Sequence, residues 1–291
     1  MASTVKTQYV QVPDGSKVFY REAGSSSKPT FLLLHGFPTS SHMFRNLIPI
    51  LAPHFHVIAP DLPGFGFTET PEGYVHTFDN LAKTIDQFTE SLKLDKFAVY
   101  IFDYGSPVAI RLALNHPERI SAIVSQNGNA YDEGLDSDFW APLRKYWATG
   151  NPDDEFFQKA LGDFINDPKN TWSQYYDGVS KPEVIDPLPG TLDYHFITRP
   201  GQTKIQVGLF YDYQNNKKLY PSFQKYLRDS NVPVLVAWGK NDDIFQYHAG
   251  EAFKRDVKNL ELKFYDTGHF ALETHLEEIS NDIINFLQKN L

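Results

Sequence analysis

The sequence predicts an α/β protein: a mostly parallel, doubly wound sheet of eight strands with a helical segment inserted after the sixth. Three observations carry that expectation. Short β-branched and aromatic runs recur along the chain, helical patterns separate most of them, and the alternation stops between about Tyr131 and Tyr220. Strand, helix, strand is the rhythm of a parallel sheet covered on both faces.

Thr7 to Val12 and Lys17 to Glu22 alternate as two strands joined by the turn cluster Pro13-Asp14-Gly15-Ser16, so the chain should open with an antiparallel pair. Thr30 to Leu34, His56 to Ala59, Phe97 to Phe102, Ile120 to Ser125, Val234 to Ala237 and Leu260 to Tyr265 are short apolar runs of the kind buried in parallel sheets. Asn80 to Leu92, Pro107 to Asn115 and His275 to Gln288 place apolar residues three and four apart, which predicts helices. The stretch from Tyr131 to Tyr220 is rich in aromatics, proline and acidic residues, with helix-like patches and no clear strand. At roughly 90 residues it is far too long for a loop. Residues 131–220 are expected to form a helical cap, with 1–130 and 221–291 as the core domain.

The 291 residues, 41% of them hydrophobic, can bury one large core plus an inserted lid without a metal or disulfide to hold it. There is no cysteine, which excludes disulfides, thiolate metal sites and cysteine nucleophiles. Lysine and arginine total 27 against 36 acidic residues, a formal charge of −9 with no basic stripe, which argues against nucleic acid as a partner. Neither a signal-peptide core nor an apolar run of spanning length is visible, so a soluble cytoplasmic protein is the default, with no membrane partner. The terminal Lys289-Asn290-Leu291 matches a Ser-Lys-Leu peroxisomal address only loosely. No cofactor or metal is called for, and the oligomeric state is open.

Chemistry concentrates at three points, each directly after a predicted strand: His35-Gly36-Phe37-Pro38, Asp103-Tyr104-Gly105, and Gly268-His269-Phe270. Open α/β sheets place their sites at the carboxyl ends of strands. Asp103 could simply cap the helix that follows. Its apolar lead-in and the glycine two positions on read instead as a sharp strand-to-helix turn that presents one side chain, a nucleophile elbow with a carboxylate in the nucleophile's place. Ser106 is the weaker choice, because the residue after a nucleophile normally lends its N–H to an oxyanion hole and Pro107 has none.

With these motifs the chain resembles the epoxide hydrolase and haloalkane dehalogenase branch of the α/β-hydrolases, over essentially its whole length. The resemblance implies an α/β-hydrolase fold and maps His35-Gly-Phe-Pro38 to the oxyanion loop, Asp61-Leu-Pro-Gly-Phe-Gly66 to the loop after the next strand, Asp103 to the nucleophile, Trp238-Gly-Lys-Asn-Asp242 to the acid, and His269 to the base. It further implies that Asp103 forms an alkyl-enzyme ester which a histidine-activated water hydrolyses, one hard displacement becoming two easier steps. Phe37 and Tyr104 would give backbone N–H groups to the oxyanion, and Pro38 would fix that loop, with a cis bond open to it. His35, Trp147 and Phe270 are candidates for the substrate pocket. Some relatives carry the acid after the sixth strand, where this chain has Gln126-Asn127-Gly128-Asn129 and no carboxylate. Asp242 is therefore favoured as the partner of His269, with Asp243 in a solvated turn and Asp132 as a remote reserve.

Departures from the family patterns bear on substrate. Haloalkane dehalogenases usually hold the halide with a tryptophan after the nucleophile and often an asparagine after His-Gly; here these are Tyr104 and Phe37. Haloacetate dehalogenases carry arginines one and four positions past the nucleophile; here these are Tyr104 and Pro107. Epoxide hydrolases carry His-Gly-x-Pro, which is present, and acidic cap hydroxyls that protonate the ring oxygen. Tyr213 resembles the late-cap tyrosine and Tyr146 the early-cap one, against a plain reading of both as aromatic packing. Tyr104 departs from all three groups. Epoxide hydrolysis of a small apolar organic substrate is the expectation, with a haloalkane or haloacetate dehalogenase as the alternative and a non-catalytic receptor of the same fold as a second.

Overall fold

The computed structural model describes residues 4–291. Its strands are β1 (Lys6–Gln11), β2 (Lys17–Ala23), β3 (Thr30–Leu34), β4 (His56–Pro60), β5 (Phe97–Ile101), β6 (Ile120–Ser125), β7 (Val234–Gly239) and β8 (Leu260–Tyr265). They form one sheet in the order β1-β2-β4-β3-β5-β6-β7-β8. β2 pairs antiparallel with both β1 and β4, and every other pairing is parallel. The expected α/β-hydrolase architecture is the observed one.

Burial on both faces explains why the inner strands read as continuous apolar runs. Along β5, Phe97, Val99 and Ile101 pack into one core while Ala98 and Tyr100 pack into the core on the opposite face. Each large apolar side chain so buried contributes about 1.5–3 kcal/mol. The helix predicted from Asn80 begins earlier, at Phe78, because Thr77 accepts the N–H of Asn80 and caps it. The other two predicted helices run over Gly105–Asn115 and Leu276–Asn290.

The chain order reverses at β3, which lies between β4 and β5. In open α/β sheets such a switch leaves a crevice beyond the carboxyl ends of the two strands. The oxyanion loop follows β3 and the elbow follows β5, so the topology alone brings them together.

Between β6 and β7 the chain forms helices without strands, among them Ala141–Ala148, Glu155–Asn166, Pro168–Tyr176, Pro187–Ile197 and Gln202–Asp212. The acidic and proline content of this segment has a local cause. Asp154, Asp167 and Asp186 each accept a backbone N–H at a helix start, and Pro168 and Pro187 occupy first helical positions, where a missing N–H costs nothing. Arg199 and Gln206 donate to the carbonyls of Gly66 and Gly64 after β4, and Trp140 donates to that of Ile244 after β7. The segment thus sits over the carboxyl edge of the sheet. No helix among the described residues is long and apolar enough to cross a membrane.

Candidate active site

Asp103 stands at the turn between β5 and the helix Gly105–Asn115 with φ +44°, a left-handed conformation that few residues with a side chain adopt. Two glycines permit the turn. A Cβ on Gly105 would lie 2.4 Å from the Leu34 carbonyl oxygen, and one on Gly36 would lie 2.2 Å from Asp103 Oδ1. The Phe37 N–H donates to Asp103 Oδ1 at 2.5 Å, and the Tyr104 N–H also stabilises the carboxylate. Phe37–Pro38 is a cis bond. Burial lifts the Asp103 carboxyl to about 6, against the opposing pull of His269 and the two N–H groups. The Ser106 hydroxyl is buried and donates to the Asn129 carbonyl at 2.7 Å, which leaves it no freedom to attack anything.

His269 Nδ1 lies 2.7 Å from Asp242 Oδ2, and both side chains are buried. Asp242 Oδ1 accepts from the N–H groups of Ile244 and Phe245 at 2.8 and 3.2 Å, which fixes the carboxylate. The bond to Nδ1 leaves Nε2, buried and without a protein partner, as the free ring nitrogen. Burial alone would disfavour imidazolium, but the Asp242 carboxylate and its hydrogen bond, together with Asp103, outweigh it and raise His269 above its ordinary value. Asp243 is exposed, and Asp132 is a surface residue paired with Lys217. Neither reaches the histidine.

The aromatic candidates divide. Tyr213 is buried between Trp140, Phe78 and Tyr104, with ring centroids at 4.7, 5.6 and 5.9 Å. The Tyr104 hydroxyl is buried without a hydrogen-bond partner, and that of Tyr213 is buried beside the Tyr220 hydroxyl without a well-formed hydrogen bond; burial raises both phenols well above 10. Tyr146 must be corrected. Its hydroxyl donates to the Pro152 carbonyl at 2.5 Å and accepts from Gln158, while its ring packs on Phe157 and Tyr211, so it serves the helical segment's own packing. His35 must be corrected as well: its Nε2 accepts the Leu62 N–H at 2.9 Å and Nδ1 donates to the Gly36 carbonyl, tying the β3 and β4 loops together beneath the site. Phe270 packs between Tyr175, parallel at 4.0 Å, and Phe102, so it supports the His269 loop from within the core. Trp147 lies parallel to Tyr213 at 6.4 Å, with its indole N–H donated to the Phe210 carbonyl.

A family model described as the alpha/beta hydrolase fold matches residues 29–276. The chain belongs to the α/β-hydrolase fold family. It is 59% identical over 281 residues to an uncharacterized hydrolase of Saccharomyces cerevisiae, covering 97% of each chain. A haloalkane dehalogenase of Bradyrhizobium diazoefficiens is 38% identical over 109 residues, 38% of this chain and 35% of that one. Among solved structures, an epoxide hydrolase without ligand superposes with a TM-score of 0.75 at 21% identity, covering 98% of this chain and 99% of that one.

In this α/β-hydrolase the most informative residue missed by sequence reasoning is Asn127, directly after β6. Its Nδ2 donates to Asp242 Oδ2 at 2.7 Å, and its Oδ1 accepts from the Gly239 N–H at 2.8 Å and from Gln126. The amide orients the acid rather than replacing it. Asn127 adopts φ +50°, a region that asparagine tolerates better than most residues, but the residue types around it do not announce that conformation. Trp140 and Phe245 were also missed; they link Tyr213 to His269, with centroids at 4.7, 5.4 and 5.9 Å along the chain of contacts.

Proposed function

We propose that this α/β-hydrolase is an epoxide hydrolase that works through an alkyl ester on Asp103. The observation that carries the reading is a contrast in free donors. The indole N–H groups of Trp140 and Trp147, the tryptophans beside Tyr213, are both committed to backbone carbonyls, whereas the buried Tyr104 hydroxyl has no partner and that of Tyr213 has only the neighbouring Tyr220 hydroxyl beside it, which leaves both able to donate. A departing halide is a weak base that needs solvation by N–H donors. An opening epoxide leaves as a strongly basic alkoxide and needs a proton.

In the proposed sequence an Asp103 oxygen attacks a ring carbon, the carbon–oxygen bond of the ring breaks, and Tyr213 gives its proton to the oxygen, with Tyr104 as second donor in the place first assigned to Tyr146. His269 Nε2 then takes a proton from water, and the resulting hydroxide adds to the ester carbonyl. The oxyanion forms against the Phe37 and Tyr104 N–H groups. Collapse releases the diol and restores the Asp103 carboxylate, and the proton on His269 returns through solvent to the tyrosinate. Asp242 stabilises the imidazolium that exists between these events.

Intact mass spectrometry of His269→Gln tests the reading, since alkylation needs no base and hydrolysis does. An epoxide should add its whole mass to Asp103. A gain equal to an alkyl halide less hydrogen halide, with no gain from epoxides, would establish the dehalogenase instead. No adduct from either class would leave a non-catalytic protein.

A further inference from the structure

The helix Pro168–Tyr176 has two faces. Trp172, Tyr175 and Tyr176, spaced by three and four positions, make an aromatic one that carries Tyr175 into the core. Asn170, Ser173, Gln174 and the following Asp177 make a polar one, which walls a cavity of about 90 Å³ that reaches His269 and Asp242. Phe139, Phe164 and Ile244 form the facing apolar wall.

The hydrogen-bonding capacity of that wall is lopsided. The Asn170 amide nitrogen donates to the Phe164 carbonyl at 2.8 Å, which leaves its side-chain oxygen free to accept. The Ser173 hydroxyl donates to the Asn170 carbonyl at 3.1 Å and keeps its lone pairs. Asp177 and Asp243 add two carboxylates, close enough that Asp243, after burial, contributes to raising Asp177. The donors left on that wall are the second N–H of the Asn170 amide and the Gln174 amide, which lies at the 3.5 Å limit from the Asn170 carbonyl; both are neutral. No lysine or arginine lines the space. Such a site welcomes a donor and repels an anion. The space is ample for a hydroxymethyl group, and it opens to solvent on the side of the exposed Asp177 and Asp243.

We propose that this slot binds a hydrogen-bond donor on the substrate, so that the enzyme selects small hydroxylated epoxides and rejects carboxylated ones. The inference rests on the epoxide hydrolase reading for the reacting group, but the slot's preference is measurable apart from it. His269→Gln protein is exposed to propylene oxide, glycidol and glycidate, and in parallel to 1-bromopropane, 3-bromo-1-propanol and 3-bromopropionate, and the rate of adduct formation is followed by intact mass. One neutral hydrogen bond should favour the hydroxylated member by roughly 3- to 10-fold, and the carboxylate should be the slowest of each three. In a folded Ser173→Ala/Asp177→Asn variant the hydroxyl-to-methyl ratio should fall to about one, and the carboxylate deficit should shrink.

If only the bromides react and the hydroxyl is preferred among them, the epoxide reading fails and the slot stands. If epoxides react with no preference, or the carboxylate is favoured, the slot is a water pocket only and the proposal is overturned while the epoxide reading survives. Absence of any adduct overturns both.

Discussion

Two regions of the molecule meet at Asp103, and they obey different rules. In the loops that follow β3, β5, β7 and β8, backbone geometry leaves almost no choice: Gly36 and Gly105 are required by contacts a Cβ would turn into clashes, and Asp242 is held by two N–H groups, Asn127 and His269. In the helical segment over the site, aromatic rings pack mainly against one another, and the proposed function uses only those whose polar atom is left over. Tyr146 and Tyr213 are equally buried. Their hydroxyls differ, one donated to the Pro152 carbonyl and the other without a well-formed hydrogen bond, with only the Tyr220 hydroxyl beside it.

If position is dictated in the loops, small changes there should cost most. Asp242→Asn keeps the shape but reverses the hydrogen bond to His269 Nδ1, and by analogy with other triads should slow ester hydrolysis on the order of 10,000-fold while leaving alkylation nearly intact. Asp132→Asn, at the surface, should change neither step in single-turnover kinetics. A damaging Asp132 variant would return the acid assignment to that residue. Gly36→Ala should follow, with at least about 100-fold lost from turnover, because the methyl group displaces the loop whose N–H serves the oxyanion.

The same contrast governs what could be read from the chain. All eight strands were legible: β3 to β7 because burial on both faces forces apolar runs, β1 and β2 because they alternate on either side of a turn cluster, and β8 as a short apolar run that is only partly buried. The turn at Asp103 was legible because it needs a glycine two positions on. Asn127 was missed because its role is to hold Asp242, which lies 115 positions away along the chain, and no local pattern announces such a partner. Tyr146 was misjudged for the complementary reason: the Pro152 carbonyl that takes its proton is six positions away, but nothing in the residue types says that the two will meet.

Removing hydroxyls tests the helical segment in its own terms. Tyr213→Phe should lower the rate of ester formation from an epoxide on the order of 100-fold, the lower end of general-acid catalysis, and adding Tyr104→Phe should lower it further. Tyr146→Phe should leave that rate alone and cost about 1 kcal/mol in stability for the lost hydrogen bonds. Rapid-quench mass measurements, with circular dichroism for folding, separate the two. Equal effects from Tyr146 and Tyr213 would erase the distinction between filler and donor.

Proton coupling offers a milder probe. Asp103 must be ionised to attack, and its burial-raised value of about 6 means that alkylation is full at neutral pH and fails as pH falls through that point. His269 must be neutral to activate water, and its raised value means that hydrolysis begins to fail at a higher pH. The contribution from the Asp103 charge vanishes once the ester forms, so in that state Asp242 and its hydrogen bond alone oppose the desolvation of the imidazolium. Wild-type enzyme quenched during turnover should therefore hold a growing fraction of ester as pH is lowered from 8 toward 6. A fraction that shrinks over that range would mean that His269 is not the group whose protonation stops hydrolysis.

The smallest expected effect lies in two glycines of the helical segment, Gly162 and Gly208, which ought to behave as the reverse of Gly36 and Gly105 and of Gly190 in the same segment, where a Cβ would lie 2.9 Å from the Trp172 ring. Gly208 sits inside the helix Gln202–Asp212, and a Cβ there would meet nothing within 4 Å; Gly162, inside Glu155–Asn166, would meet only Thr203 Cγ2 at 3.7 Å. Neither has a positive φ. With no clash to offset it, alanine should gain the helix propensity that glycine lacks, about 0.5–1 kcal/mol per site, which for a chain of this size is a rise in Tm of roughly 1–4 °C. Thermal unfolding of Gly162→Ala and Gly208→Ala, with alkylation rates beside it, checks both halves of the expectation. A fall in Tm at either position would show that open space around a helical glycine does not make it replaceable, and the contrast between Gly36 and Gly105 on one side and Gly162 and Gly208 on the other would fail where it should be easiest to see.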